Sequence, residues 1–253
     1  MKISILTPCR NASATIAHTI ESVLAQDHAD FEHLILDGAS TDGTLGMVAR
    51  FGDPRIRVAS APDRGMYDAL NAGLRRYRGE AVGVLNADDA YHDRTALSRI
   101  ADALRHADIV HGDLDFVADH GRKRVVRRWR APAEAAGGFR SGWMPAHPTF
   151  YVRRAVAEAV GPFDLSLETA ADYDYMLRAV ELHDFRIARV RGVLVDMMTG
   201  GASTASLAAH LRHNLEALMA RRRWLGSGRV DRALVAKPLR KVGQFFARGE
   251  ETG

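Results

Sequence analysis

Short apolar runs alternate with helical apolar spacings through the first half of the chain. Residues 3–6 read as a strand, and Ile16, Ile20, Val23 and Leu24 fall on one helical face with Ser13 or Thr15 placed to cap it. A second strand spans 31–36 and ends in Asp37-Gly38-Ala39-Ser40-Thr41-Asp42-Gly43. A short helix over 44–51, a strand over 56–60 and a helix over 66–77 follow. Residues 81–85 are continuously apolar, as in a strand buried on both faces. Residues 96–106 are helical in pattern, and Ile109-Val110 lies in another strand. This alternation predicts an α/β fold with a mainly parallel central sheet flanked by helices. Ligands of such sheets bind at the carboxyl ends of strands, here residues 7–11, 37–42 and 86–89.

After Asp113 the pattern changes. Phe116, Val125, Val126 and Trp129 sit among Arg122, Lys123, Arg124, Arg127, Arg128 and Arg130, with Asp119-His120-Gly121 as a turn. An exposed hairpin with basic faces is expected there. Gly137-Gly138, Gly142 and Pro145 mark loops, 155–160 and 173–182 read as helices, and 187–195 as a late strand. Gly200-Gly201 closes the compact body. A helical stripe of Leu207, Leu211, Leu215, Leu218 and Met219 is expected to pack on that body. Beyond Gly226-Ser227-Gly228, Leu234, Leu239, Val242, Phe245 and Phe246 lie beside Arg232, Lys237, Arg240 and Lys241, with Pro238 starting or kinking the segment. That second stripe fits packing on protein as well as an interfacial membrane helix.

With 253 residues, 47% of them hydrophobic, the chain can bury one large core. The net charge of +4 is uneven: residues 206–253 hold ten Lys/Arg against four Asp/Glu, so the rest is slightly acidic. The body is therefore no polycation, and the basic character belongs to the tail. Cys9 is the single cysteine, which excludes an intrachain disulfide and suits a reducing cytosol. No signal peptide or membrane-spanning run is apparent, so a cytoplasmic location is expected.

Carboxylates recur after the predicted strands: Asp37 and Asp42, then Asp63, then Asp88 and Asp89. Asp favours turns in any case, and for Asp42 ordinary capping competes strongly. Asn86-Ala87-Asp88-Asp89 differs, because adjacent carboxylates at the end of a buried strand repel unless a cation joins them. Hard oxygen ligands with open positions suit Mg²⁺ or Mn²⁺ bound through a diphosphate.

Four segments in order carry a resemblance. They are Ile3-Ser4-Ile5-Leu6-Thr7-Pro8-Cys9-Arg10-Asn11, Asp37-Gly38-Ala39-Ser40-Thr41-Asp42-Gly43-Thr44, Asp63-Arg64-Gly65-Met66-Tyr67-Asp68-Ala69-Leu70-Asn71-Ala72-Gly73 and Leu85-Asn86-Ala87-Asp88-Asp89. Together they resemble family 2 glycosyltransferases of the GT-A fold, closest to the bacterial branch that builds exopolysaccharide, colanic-acid-like polymers or lipopolysaccharide. The resemblance runs from Met1 to about Ser203. It implies a GT-A-type body with a nucleotide-sugar-binding half at 1–113 and an acceptor-binding half at 114–205, followed by a helical basic tail at 206–253.

The resemblance also implies roles. Thr7, Pro8 and Arg10 would line the nucleotide cleft, Asp37 would recognise the base-proximal part of a uridine nucleotide, and Asp63 and Arg64 would border the same pocket. Asn86, Ala87 and Asp88 would match the D-x-D element, with Asp88 on the metal and Asp89 beside it. Asn86 departs from the usual aspartate and brings no charge. His147 and Glu168 would lie in the acceptor region. Asp172 would be the general base of an inverting displacement, although it is also placed to cap a helix beginning at Tyr173. Asp174, in the first helical turn, is expected to serve capping. The partners implied are a nucleotide-sugar donor and a glycan or lipid-linked acceptor, with the tail as a peripheral contact on the inner face of the membrane.

Three other readings are weaker. A sugar-nucleotide pyrophosphorylase usually needs a glycine-rich first loop, and Thr7-Pro8-Cys9-Arg10-Asn11 has no glycine. A nucleic-acid binder could use the arginines at 122–130 and 221–223, but the acidic balance of the body disfavours it. A non-catalytic nucleotide-binding relative would fit Asn86.

Overall fold

The computed structural model describes residues 1–119, 121, 124–131, 138–199 and 207–226. Residues 234–246, with the second apolar stripe, and Gly200-Gly201 lie outside that range. The first half follows the predicted alternation: β1 (Ile3–Cys9), α1 (Ile16–Leu24), β2 (Phe31–Asp37), α2 (Thr44–Ala49), β3 (Ile56–Ser60), α3 (Met66–Leu74) and β4 (Ala81–Val84). Then come β5 (Ala90–Tyr91), α4 (Ala96–Ala103), β6 (Ile109–Val117), β7 (Val125–Trp129), β8 (Tyr151–Arg153), α5 (Arg154–Val160), α6 (Ala171–Glu181), β9 (Ile187–Met198) and α7 (Leu207–Leu225).

One sheet runs through both halves in the order β3-β2-β1-β4-β8-β6-β9-β5, with β7 paired to β6. Strands β3, β2, β1 and β4 are parallel, as are β6 and β9. Antiparallel β8, β5 and β7 join the second part. The two-residue β5 and three-residue β8 are too short to show a period in the sequence.

Strand β1 is buried along its whole length because helices cover both sheet faces. Its side chains alternate between them. Leu6 joins Leu70 of α3, Val156 of α5 and Met176 of α6 in one cluster. Ile3 and Ile5 join Leu97 and Ile100 of α4 in a second. Each fully buried side chain of this size contributes roughly 1.5–3 kcal/mol.

Two expectations are corrected. The basic hairpin is an edge of the main sheet, and β7 is half-buried throughout. Arg127 stacks over the Phe116 ring at 3.6 Å, and Arg130 pairs with Asp115 at 2.6 Å. On α7 the leucine stripe does not pack on the body: Leu211, Leu215 and Met219 are exposed, while Ala217, Ala220 and Arg221 are buried. Polar contacts select this face. Arg221 donates to Tyr173 Oη at 2.9 Å and Trp224 Nε1 to Asp174 at 2.7 Å. No described helix is long and apolar enough to cross a membrane.

Candidate active site

The loops after β1, β2 and β3 meet at the carboxyl edge of the parallel strands. Asp37, the last residue of β2, is 2% exposed. Its carboxylate accepts from Ser60 Oγ at 2.6 Å and from Ser40 N at 3.2 Å. Ala39 holds a left-handed φ of 54° between them, a conformation costing roughly 1–2 kcal/mol for a non-glycine residue. Such local strain characteristically clusters at functional loops. Asn11 shares it, with φ of 52°, and its Oδ1 accepts from Thr41 N at 2.9 Å.

Asp63 belongs to the same cluster. A Cβ at Gly38 would stand 2.5 Å from Asp63 Oδ2, so glycine at 38 is what lets the two loops close together. Burial, followed by the charges of Asp37, Asp42 and Asp63, pushes the Cys9 thiol up to about 12. Cys9 is thereby a protonated packing residue and no nucleophile. Asp42 ties the loops, accepting from Thr44 N at 2.9 Å and Ser13 N at 3.1 Å. The Thr44 hydroxyl bond, foremost among these, holds it below the usual carboxylate range.

Other predicted donor residues are placed as follows. Thr7 is fully buried, and its hydroxyl donates to Leu85 O at 2.7 Å and meets His33 Nε2 at 2.8 Å, so its side chain joins strands instead of facing a cleft. Pro8 is buried beside it, and Arg10 is exposed at the start of the next loop. Arg64 is 76% exposed and paired with Asp68 at 3.2 Å.

The turn 86–89 leads from β4 to β5, which pairs with β9. Thr19 Oγ1 of α1 donates to Asp89 O at 2.7 Å and steadies it. Asn86 Nδ2 donates to Asp89 Oδ2 at 2.9 Å, and Met198 N to Asp89 Oδ1 at 3.1 Å. Asp89 is thus buried and held from two sides. Burial, then the neighbouring Asp88 charge, pushes its carboxyl up to about 8. Asp88 is half-buried and Ala87 is buried.

Asn86 Oδ1 is a buried acceptor with no hydrogen-bond partner among the described residues. No described group of three or more His, Cys, Asp or Glu side chains gathers to cage a metal. The donor set therefore fits a hard cation held by Asp88 and mainly by ligand oxygens, with Asn86 Oδ1 open to a water or hydroxyl donor.

Asp172 is the second residue of α6, and Ala170, not Asp172, is its N-cap. Asp172 Oδ1 accepts from Tyr67 Oη at 3.2 Å and from Tyr173 N at 2.8 Å. Its Oδ2 lies 3.9 Å from His147 Nδ1. Burial lowers the His147 pKa, opposed by the Asp172 charge. Phe163 underlies the group, stacked on Tyr67 at 5.8 Å and edge-on to His147 at 6.3 Å.

Asp174 is no surface cap: it is buried, with Arg178 Nε at 2.8 Å and Trp224. Glu168 is 68% exposed and paired with Arg212 of α7, turned toward that helix. No pattern in the sequence marks Tyr67 or Phe163. Tyr67 lies within the segment 63–73, and only the fold brings it to Asp172.

A parallel α/β half ending in carboxylate-bearing loops, with a further carboxylate, Asp172, at the start of α6, is the framework of a nucleotide-binding α/β fold. The chain belongs to glycosyl transferase family 2, whose profile matches residues 4–161. It is 28% identical over 186 residues to a PGL/p-HBAD biosynthesis glycosyltransferase of Mycobacterium tuberculosis, covering 69% of this chain and 68% of that one. Among solved structures, S. aureus TarS 1-349 in complex with UDP-GlcNAc superposes with TM-score 0.69 at 20% identity, covering 88% and 73% of the two chains. The mannosyltransferase PcManGT from Pyrobaculum calidifontis, in complex with GDP-Man and Mn2+, superposes with TM-score 0.66 at 18% identity, covering 98% and 70%. The same TarS fragment in another crystal structure is matched over 60% of its length. These likenesses establish a GT-A-like α/β fold.

Proposed function

We propose that the chain transfers a sugar from a UDP-sugar to a hydroxyl of a glycan or lipid-linked acceptor, with inversion, in bacterial surface-polysaccharide or glycolipid synthesis. The observation that carries this reading is the Tyr67–Asp172 hydrogen bond, which sets an acceptor-side carboxylate against the donor-side segment. Residues 1–113 form the donor half and 114–205 the acceptor half.

Asp37 and Asp63 suit the base and ribose, whose N–H and O–H groups donate to carboxylates. Asp88 would hold Mg²⁺ or Mn²⁺ together with the donor diphosphate, and Asp89 braces the turn through Asn86 and Met198. Bound there, the cation would supply positive charge against the leaving diphosphate. Asp172 Oδ1 is held by Tyr67 and Tyr173, so Oδ2 is the oxygen that takes the acceptor proton. The acceptor oxygen forms its bond to the anomeric carbon as the bond from that carbon to the phosphate oxygen breaks, and the nucleoside diphosphate leaves. His147, neutral through burial, orients the acceptor without cancelling the Asp172 charge.

The test is thermal stabilisation of the parent and of Asp88→Asn by UDP-, GDP- and dTDP-sugars, with Mn²⁺ or with EDTA. A Mn²⁺-dependent rise with a UDP-sugar in the parent, lost in Asp88→Asn, is expected. A rise with another nucleotide alone, or an equal rise in EDTA, overturns the donor or the metal assignment respectively. Membrane contact through residues 234–246 is tested by flotation with anionic liposomes, with and without the residues after Ser227; equal flotation of both removes it.

A further inference from the structure

Helix α6 lacks a capping side chain of its own, since its N-cap is Ala170. The acceptor comes from α7. Glu216 takes hydrogen bonds from Glu168 N at 3.2 Å, Thr169 N at 2.8 Å, Thr169 Oγ1 at 2.9 Å and Ala170 N at 2.9 Å. Three successive backbone amides thus converge on one carboxylate, at the positive end of the α6 dipole. His213 of α7 binds Thr169 O at 2.9 Å from the other side. Beyond Asp172 the same helix grips again, through Arg221 on Tyr173 and Trp224 on Asp174. Asp172 is therefore bracketed by contacts from α7 while its own carboxylate faces Tyr67.

We infer that Glu216 is a positioning residue for transfer: it fixes the turn 168–170 so that Asp172 stays against Tyr67 and His147. Its charge also reaches the same cluster. Burial first, then Asp172 and more weakly Glu216, keep the Tyr67 phenol protonated, the state in which it donates to Asp172. Four directed bonds to one turn exceed what a surface ion pair such as Arg212–Glu168 supplies. The proposal rests on the reading of Asp172 as the base, and the experiment separates the two.

Crystal structures of Glu216→Ala and Glu216→Gln are the first arm, independent of any substrate. Asp172 turned away from Tyr67 in Glu216→Ala, and less so in Glu216→Gln, is expected; an unchanged Tyr67–Asp172 contact in both overturns the proposal. If Glu216→Ala does not fold, Glu216→Gln alone decides, since its amide oxygen can keep only part of the amide cluster. The second arm measures nucleoside diphosphate release, with Mn²⁺ and water as acceptor, from UDP-glucose, UDP-galactose, UDP-N-acetylglucosamine and GDP-mannose. Glu216→Ala should lower kcat roughly 10- to 100-fold with donor KM unchanged, and Glu216→Asp should recover part of it. Glu216→Ala combined with Asp172→Asn should be no slower than Asp172→Asn alone. Additive losses, or a changed donor KM with kcat intact, overturn the positioning role. A near-normal rate in Asp172→Asn defeats the base assignment instead, whatever Glu216→Ala does.

Discussion

Tyr67 Oη donates to Asp172 Oδ1 at 3.2 Å, joining the first turn of α3 to the first turn of α6 across 105 residues of chain. Tyr67 is 8% exposed and its ring is stacked on Phe163, so the hydroxyl has little freedom to turn elsewhere. Tyr67→Phe keeps the stack and removes one bond to a charged group. The expected result is a loss of about tenfold to a hundredfold in kcat, the rate equivalent of such a bond, with donor affinity unchanged. Steady-state kinetics of the variant checks it, and an unchanged kcat would show that the bond does not orient Asp172 during transfer.

Asp37 gives a binding prediction. Its carboxylate already accepts from Ser60 and Ser40, so alanine would strand two donors as well as remove the nucleotide contact. Asp37→Asn preserves shape and isolates the charge. UDP affinity should fall by about 1.5–3 kcal/mol, the value of a charge-assisted hydrogen bond. Calorimetry with UDP and Mn²⁺ measures it; equal affinity for parent and variant would remove Asp37 from nucleotide recognition.

Much of the candidate donor side is legible in the sequence because it is local. Asp37 ends a strand, and Asp63 and Asp88 follow strands, whose apolar runs are visible, and the loops keep the order of the strands. The candidate acceptor side is less legible because its contacts are long-range. Glu216 reaches Thr169 over 47 residues, and Trp224 reaches Asp174 over 50, with no spacing that marks either pair. The face that α7 buries departs from its leucine stripe for the same reason. Leu211, Leu215 and Met219 form the conspicuous stripe, yet Glu216, Arg221 and Trp224 have specific partners on and before α6, and those fix the rotation of the helix. Asp172 as a cap failed by register: the helix starts at Ala171, two residues before the sequence pattern placed it.

Histidine burial sets a pH response. Thr7 Oγ1 donates to Leu85 O, so His33 Nε2 must carry the proton that meets the Thr7 oxygen. Its Nδ1 is then a buried lone pair with no partner among the described residues, and burial lowers the His33 pKa to about 3. The folded state therefore refuses a proton that the unfolded chain accepts near its ordinary value of about 6.5. Between those values the unfolded state binds more protons, so stability falls as pH drops from about 6.5 toward 3. His111, lowered to about 4 mainly by burial, adds in the same sense. Denaturant midpoints at pH 7 and pH 5 should differ less in His33→Asn than in the parent; an equal difference would place the acid sensitivity elsewhere.

Asp172→Asn separates chemistry from architecture. A helix cap is worth about 1 kcal/mol, but Ala170 holds that position and Glu216 serves the turn, so the substitution removes no cap. The amide oxygen of asparagine can still accept from Tyr67 Oη and Tyr173 N, so the local fold should persist. What asparagine cannot do is take the acceptor proton at the position of Oδ2. Transfer should fall by roughly 10²–10⁴-fold, the range for a lost general base, while UDP binding and thermal stability stay near the parent. Asp174→Asn supplies the contrast, because Asp174 is buried against Arg178 and Trp224. Leaving Arg178 without its carboxylate should lower thermal stability strongly, by roughly 3–5 kcal/mol for a broken buried pair. Circular-dichroism melts beside turnover distinguish the two variants. A stable, donor-binding Asp172→Asn that turns over at the parental rate would leave the cleft without its assigned base, and neither Asp174 nor Glu168 could inherit the role without first giving up the Arg178 or Arg212 contact it now makes.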